Sequence, residues 1–450
     1  MLPGQRPPTT GGIVRFWTPL AATWLMMAAE GPFLAAVIAR LPEPTFNLAA
    51  YGVSLSLALI LEAPIIMLMG AAAALVKGRE SFLALRRFTR GLNALVTLGA
   101  LLVLLPPVFR WLAGPVLDLP PEVAWRTYGA VGLFLPWPAA IGYRRLYQGV
   151  LICRGLTRRV GYGTAVRVGA VGATALALYR WGAEGAYVGA ASLSVGVVAE
   201  AVACRVMVRG ARREVLAAED PPGTPRWTAG ALSAFYFPLA LSSILGLAVH
   251  PLVTFFVTRA PASVESLAVL PVIRSLVFLF SCLGLSYQEV GIALLGDDEG
   301  GYRALRRFAW FLGLGTAVGL AGISLSPLAR IWFHTVSGLS EELTRFALGP
   351  TRLLSLFPAL TVFVSFLRAL HVHRRETRPI TWATVLEVGG IGAALFAAIR
   401  WAGLPGALAA AAALLAGRTL SAAYLLALAR LRPRPAAAEP VDRSTPASVP

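Results

Sequence analysis

Ionisable side chains stand inside long apolar runs of this 450-residue chain: Glu30, Glu62, Arg144, Arg145, Arg167, Glu200, His250, Arg274, Glu289, Arg352, Arg368, His371 and Glu387. A charge at membrane depth is costly, so such groups face a cavity or a partner. Two chemistries suit them. Guanidinium grips carboxylate and phosphate through two parallel hydrogen bonds. Arg144, Arg145, Arg167, Arg274, Arg352 and Arg368 therefore form the candidate binding set for an anionic substrate. Arg144, Arg145 and Arg368 would serve equally well as anchors near the ends of their spans. A buried carboxylate or imidazole can instead couple or gate by exchanging a proton or sodium ion. Glu30, Glu62, His250, Glu289 and Glu387 are the candidates for that role. Glu30 sits deepest in its run, and a hydrogen-bonded structural acid is the other reading of it.

Other chemistries find no support. His371 and His373 are two residues apart, on different faces of a helix, and with His334 they make no metal spacing. Cys153, Cys204 and Cys282 are scattered and define neither a disulfide framework nor a metal site. No phosphate-binding loop, zinc-protease motif or nucleophile elbow is present. The expectation is a non-enzyme without a cofactor. The formal charge of +18 is carried almost wholly by arginine, with Lys77 the only lysine. These arginines lie in short loops between apolar runs, where basic residues report topology rather than nucleic-acid binding.

The elements that must position these groups are membrane helices. The chain is 57% hydrophobic and 14% charged, against about 25% charged for a soluble domain. Apolar runs of the roughly 20 residues needed to span a bilayer recur throughout. Twelve spans are expected: 14–39, 48–76, 92–114, 127–152, 160–180, 185–207, 232–258, 265–295, 308–333, 343–371, 379–401 and 404–430. The first is too long for a signal-peptide core. Pro32, Pro64, Pro136, Pro138, Pro251, Pro271 and Pro358 lie within spans and predict kinks. Loops after even-numbered spans hold clusters such as Arg86, Arg87 and Arg90, or Arg303, Arg306 and Arg307. Loops after odd-numbered spans hold single arginines such as Arg40, Arg126, Arg180 and Arg259. The positive-inside rule then makes both termini cytoplasmic. The organisation expected is a cytoplasmic N-terminus over 1–13, a six-helix bundle over 14–207, a cytoplasmic linker over 208–231, a second bundle over 232–430, and a disordered tail over 431–450.

Shifting the chain by about 220 residues aligns it with itself. Phe16, Pro19, Leu20 and Ala21 meet Phe235, Pro238, Leu239 and Ala240. Pro32, Arg40 and Pro42 meet Pro251, Arg259 and Pro261. The word ALRRF at Ala84 to Phe88 recurs at Ala304 to Phe308, and Arg180 with Trp181 recurs as Arg400 with Trp401. Six spans per copy insert both copies the same way. The fold class is therefore an all-α polytopic membrane protein of about twelve helices, in two parallel six-helix bundles related by a pseudo-two-fold axis along the membrane normal. In such a carrier the substrate lies between the halves, and access alternates as they rock. Arg167 and Glu387 are repeat equivalents (387 − 167 = 220), which predicts an ion pair across the seam or a pair of groups flanking the substrate there, unless each snorkels or pairs within its own half. His250 stands one residue from Val249, the equivalent of Glu30.

The pattern resembles the multidrug/oligosaccharidyl-lipid/polysaccharide exporter superfamily, with its MATE transporters and lipid-linked sugar flippases. In detail it is similar to the progressive ankylosis (ANK) proteins. The residues concerned are Phe16-x-x-Pro19-Leu20, Tyr51-Gly52 followed by Ser54 to Leu57, Phe235-x-x-Pro238-Leu239-Ala240-Leu241, Pro251-Leu252-Val253-x-x-Phe256-Val257-Thr258-Arg259, Pro350-x-Arg352-Leu353-Leu354-Ser355-Leu356-Phe357-Pro358, and Gly406-Ala407 with Leu414 to Gly417. The resemblance implies export of small polyvalent anions such as pyrophosphate, nucleotide or citrate. A cation-coupled drug exporter and a flippase for a lipid-linked saccharide are the alternatives. The expected partners are the lipid bilayer and a small anionic molecule. The expected setting is a monomer in a bacterial inner membrane.

Overall fold

The computed structural model describes residues 9–222, 224, 227–295, 301–374 and 376–431. The tail expected to be disordered lies, apart from Leu431, outside them. The described residues form helices and connecting turns. We number the main helices α1 (Thr10–Ile38), α2 (Pro44–Leu75), α3 (Arg79–Leu104), α4 (Pro121–Leu133 continued by Trp137–Cys153), α5 (Thr157–Arg180) and α6 (Gly185–Met207). The second copy supplies α7 (Ala229–Val257), α8 (Ser263–Leu294), α9 (Tyr302–Ser324), α10 (Glu341–His373), α11 (Thr377–Arg400) and α12 (Gly406–Leu431).

Among the described residues, ten of these are long and apolar enough to cross a membrane by length and composition. The two outside that set are the fourth and fifth expected spans. In α4 the turn at Phe134 to Pro136 divides the rod into two shorter helices. In α5 the residues Arg158, Arg159 and Arg167 lower the apolar character. The limits of two expected spans are corrected. The third and ninth helices begin at Arg79 and Tyr302, well before 92 and 308, because their basic first turns are helical too. They stop at Leu104 and Ser324, short of 114 and 333, because Pro106 and Pro327 follow and cannot continue a helix. After each stop the chain makes a short helix and then a wider π-helical turn, Leu112–Val116 in the first copy and Ile331–Val336 in the second.

Several helix breaks lie at prolines, whereas Pro32 and Pro271 sit inside unbroken helices, α1 and α8. Pro64 tightens α2 into a 3-10 turn at Ala63–Ile65, and α7 is interrupted at Ala248, just before Pro251. The breaks in α4 at Phe134 and in α10 at Leu354–Leu356 are repeat equivalents. The segment joining the copies contains a helix. A short helix, Arg209–Ala217, returns the chain to the start of α3, where both Asp220 carboxylate oxygens accept from Ser81, from its amide at 2.8 Å and its hydroxyl at 2.8 Å.

The two six-helix lobes repeat each other in detail. The first amide groups of α6 and α12 are capped in the same way: the Ala186 amide donates to Asn47 Oδ1 and the Ala407 amide to Ser266 Oγ, both at 2.9 Å. A Cβ at Gly185 would meet Ile38 Cγ2 at 2.9 Å, and one at Gly406 would meet Val257 Cγ1 at 2.9 Å. Glycine there lets the end of α1 lie against α6, and the end of α7 against α12. The other ends of α1 and α7 cross over. Ile13 is buried in an apolar cluster of the second lobe with Tyr287, Leu305 and Leu425. Trp17 donates to Ser286 Oγ at 2.9 Å and packs edge-on against Phe308. In mirror fashion Leu232 is buried with Phe82 and Leu146 of the first lobe, and the Tyr236 hydroxyl donates to the Pro64 carbonyl at 2.6 Å. Each lobe thus holds one end of the other lobe's first helix.

Candidate functional site

Four buried charges of the first lobe form one connected chain. On α4, Arg144 and Gln148 are one helical turn apart and share a face. Both donate to Glu200 of α6, Gln148 at 3.1 Å and Arg144 more closely. Arg167 of α5 lies between this carboxylate, 4.0 Å away, and Glu30 of α1, to which it donates at 2.6 Å. Arg144, Arg167, Glu200 and Glu30 are all buried. Pairing offsets the cost of bringing each charge out of water. Some capacity is left over: Glu30 Oε1, Arg144 Nε and Arg167 Nε are buried without a hydrogen-bond partner among the described residues. Glu62 accepts from the Trp137 indole just after the α4 break. Arg145, on the neighbouring face of α4, reaches only the Met69 thioether among the described residues, at 3.8 Å.

The second lobe is built from the same helices with the charges rearranged. Glu387 of α11 forms an ion pair with Arg418 of α12 at 3.0 Å and lies 3.8 Å from Arg368 of α10. Arg418 lies over the Phe357 ring, 4.9 Å from its centre, and Arg368 also donates to Thr384 at 3.4 Å. The signs are exchanged between copies: α5 and α6 carry Arg167 and Glu200, whereas α11 and α12 carry Glu387 and Arg418. Arg274 of α8 bonds His250, beside the break in α7. His371 is fully buried, 2.9 Å from Glu376.

The structure brings Glu30, Arg144 and Arg167 together, and Arg368 with Glu387. It pairs His250 with Arg274. The expected ion pair between Arg167 and Glu387 is not formed. Each has a nearer partner inside its own lobe, so neither is left to reach across the seam. Arg352 is exposed and donates to the Ser324 carbonyl at the end of α9, at 3.3 Å. Glu289 is exposed. Glu200 was legible as a charge within a span, but not as the hub of the first network. Arg418 was not singled out, although a lone arginine midway along an alanine-rich span was a sufficient signal. No group of three or more metal-binding side chains occurs among the described residues.

No protein-family model and no curated protein sequence matches the chain. Solved structures do. The lipid II flippase MurJ in an inward closed conformation is 13% identical, with 92% of this chain and 87% of that one covered at a TM-score of 0.71. A multidrug resistance MATE family transporter of the MOP superfamily, outward-facing, is 14% identical over 93% and 94% at 0.64. A MOP superfamily transporter from Pyrococcus furiosus, described as having a binding pocket of reverse polarity, is 14% identical over 95% and 96% at 0.64. At these identities the likeness defines the fold: a two-lobed, multi-pass membrane protein of the MATE-like type.

Proposed function

We propose that the chain is a secondary transporter that exports an anionic substrate by alternating access between lobes 14–207 and 232–430, with both termini cytoplasmic. The observation that carries the anionic reading is the charge inside the spans. Of the buried or half-buried charges set back from the helix ends, six are arginines (Arg144, Arg145, Arg167, Arg274, Arg368 and Arg418) and four are carboxylates (Glu30, Glu62, Glu200 and Glu387). The difference is 6 − 4 = 2; Arg368 and Arg418 share Glu387, Glu62 has no arginine within 4.0 Å among the described residues, and the two guanidiniums that stand apart are Arg145 and Arg274. Neither has a carboxylate within 4.0 Å among the described residues. A guanidinium without a counter-charge at membrane depth calls for an anion. Glu30, with one buried oxygen free of hydrogen bonds, is the group proposed to carry a coupling proton or sodium. The resemblance to ANK proteins supports a small polyvalent anion such as pyrophosphate, nucleotide or citrate. A second reading is favoured by the likeness to a lipid II flippase, since a lipid-linked pyrophosphate would satisfy the same two guanidiniums.

The test is thermal stabilisation of the detergent-purified chain by pyrophosphate, ATP, citrate, a lipophilic cation and a water-soluble polyprenyl pyrophosphate. A ligand present at 100 times its Kd stabilises the folded state by about 2.7 kcal/mol. The small anions should stabilise, and Arg145→Gln or Arg274→Gln should abolish the effect. Stabilisation by the polyprenyl compound alone selects the flippase reading. Stabilisation by the cation alone overturns both.

A further inference from the structure

On the face opposite the termini, the π-helical turns that follow α3 and α9 end in the same way. After Leu112–Val116, the amides of Leu117, Leu119 and Asp118 return to the carbonyls of Leu112, Ala113 and Gly114, at 2.8, 2.8 and 2.7 Å. After Ile331–Val336, the amides of Ser337, Leu339 and Gly338 return to Trp332, Phe333 and His334, at 2.7, 3.0 and 3.1 Å. These caps consume three carbonyls per turn and leave the last two, Pro115 and Val116 in one lobe and Thr335 and Val336 in the other. A helix terminus with unpaired carbonyls is an electronegative site that attracts a cation.

Each site is filled by an arginine from the opposite lobe. Arg40, just past the end of α1, donates through Nη2 to the Thr335 and Val336 carbonyls at 2.8 and 3.0 Å, and through Nη1 to its own helix at Ala36, at 2.7 Å. Arg259, just past the end of α7, donates through Nη2 to Val116 and Pro115 at 2.8 and 3.3 Å, and through Nη1 to Phe255 at 2.8 Å. Every member has its repeat equivalent: 259 − 40 = 219, 255 − 36 = 219, 335 − 115 = 220 and 336 − 116 = 220. Each guanidinium therefore ties together two helix C-termini, one from each lobe, whose dipoles would otherwise repel. Gly338 is cut to this contact. Its φ is +75°, and a Cβ there would lie 3.0 Å from Arg40 Nη1. The loop bearing Arg40 is itself held down, because Glu43 bonds to Arg126 of α4, which also meets Glu122 and Glu184.

We propose that Arg40 and Arg259 are a two-fold-related pair of latches that hold the lobes together on the face opposite the termini, and that both must release before this face opens. The latches rest on the alternating-access reading. They bind no substrate and set only the ratio between states. They join the lobes through main-chain carbonyls, so the partner side of each contact is independent of side-chain identity.

The experiment uses two pairs of spin labels in the full chain, with Cys153→Ala removing the one half-buried native thiol. One pair, Trp111→Cys with Ile331→Cys, flanks the latches on exposed, repeat-equivalent positions. The other, Arg87→Cys with Arg307→Cys, reports the terminal face, again at exposed equivalent positions. Arg40→Gln, Arg259→Gln and their combination are compared with the parent. Gly338→Ala serves as a variant that leaves both arginines in place but crowds Arg40. Each single change should raise the population with a long distance at the latch pair relative to the short one by roughly tenfold, as expected for losing hydrogen bonds from a charged donor. The double change should raise it further, and the terminal pair should move the opposite way. Unchanged distances at the latch pair, beside a parent with two populations at either pair, overturn the latch while leaving alternating access standing. A single population at both pairs in every variant overturns alternating access itself, and the latch with it.

Discussion

Glu200 is the residue whose loss the first lobe should feel most. It is 1% exposed, receives hydrogen bonds from Arg144 and Gln148, and lies 4.0 Å from Arg167. Glu200→Gln keeps the shape and removes the charge. Arg167 retains Glu30, at 2.6 Å, but Arg144 has no second carboxylate within ion-pair distance among the described residues. Breaking a buried pair by removing one partner costs about 3–5 kcal/mol, because the remaining charge is left uncompensated. For a unit of 150–250 residues each kcal/mol moves Tm by about 2–4 °C, so a fall on the order of 10 °C is expected in detergent. The decisive comparison is the double variant Arg144→Met with Glu200→Met. Replacing both charges by apolar groups of similar volume removes the orphan, and should recover most of the loss. The assay is a thermal-shift series with the parent, Glu200→Gln, Arg144→Met and the double variant. A single variant that melts within about 2 °C of the parent refutes the reasoning, and so does a double variant less stable than either single. In both cases the network would be wet, and its charges solvated rather than paired.

Two further outcomes follow from the geometry. Arg167→Glu and Glu387→Arg should each destabilise the chain, and the two together should not rescue one another, whereas Arg167→Glu with Glu30→Arg should regain part of the loss; melting temperatures of the reversals decide between seam and lobe. Asn47→Ala and Ser266→Ala should cost nearly equal amounts, about 1 kcal/mol each, because each removes the one side-chain acceptor for the first amide of a repeat-equivalent helix; a large difference in their melting temperatures would break the equivalence.

The twelve helical segments were legible because apolar length and basic loops are properties of composition, and the repeat was legible because proline, tryptophan and arginine seldom coincide by chance. What escaped was direction. The sequence places Arg144 and Arg145 side by side, but the turn of α4 sends the first to Glu200 and the second toward Met69. The expected bond between Arg167 and Glu387 failed for a related reason. Positions related by the repeat face each other only if they lie near the axis, and α5 and α11 each found an opposite charge on the next helix of their own lobe. The helix limits at 79 and 302 were missed because a basic first turn reads as loop in a hydropathy scan, although arginine is a good helix former. Arg40 and Arg259 were legible as repeat equivalents and as sparse positive charge in the loops after odd-numbered spans, but not as a link between the lobes. Their partners are carbonyls, which leave no mark in a sequence.

The crossing of α1 and α7 has a consequence for what half of this chain could be. A six-helix copy made alone would present the Ile13 and Trp17 end of its first helix with no lobe to receive it, and a cleft beside its second helix with nothing to fill it. Two such copies would complete one another by exchanging first helices, as a domain-swapped homodimer does. The joined chain turns that exchange into an internal event at high effective concentration. Once joined, the copies no longer had to remain identical. Arg40 and Arg259, which fasten them, and Asn47 and Ser266, which cap equivalent helices within each copy, are still counterparts, whereas Arg167 and Glu387 now carry opposite charge. Fusion thereby allows a symmetric frame to enclose an asymmetric interior, which two identical subunits could not build.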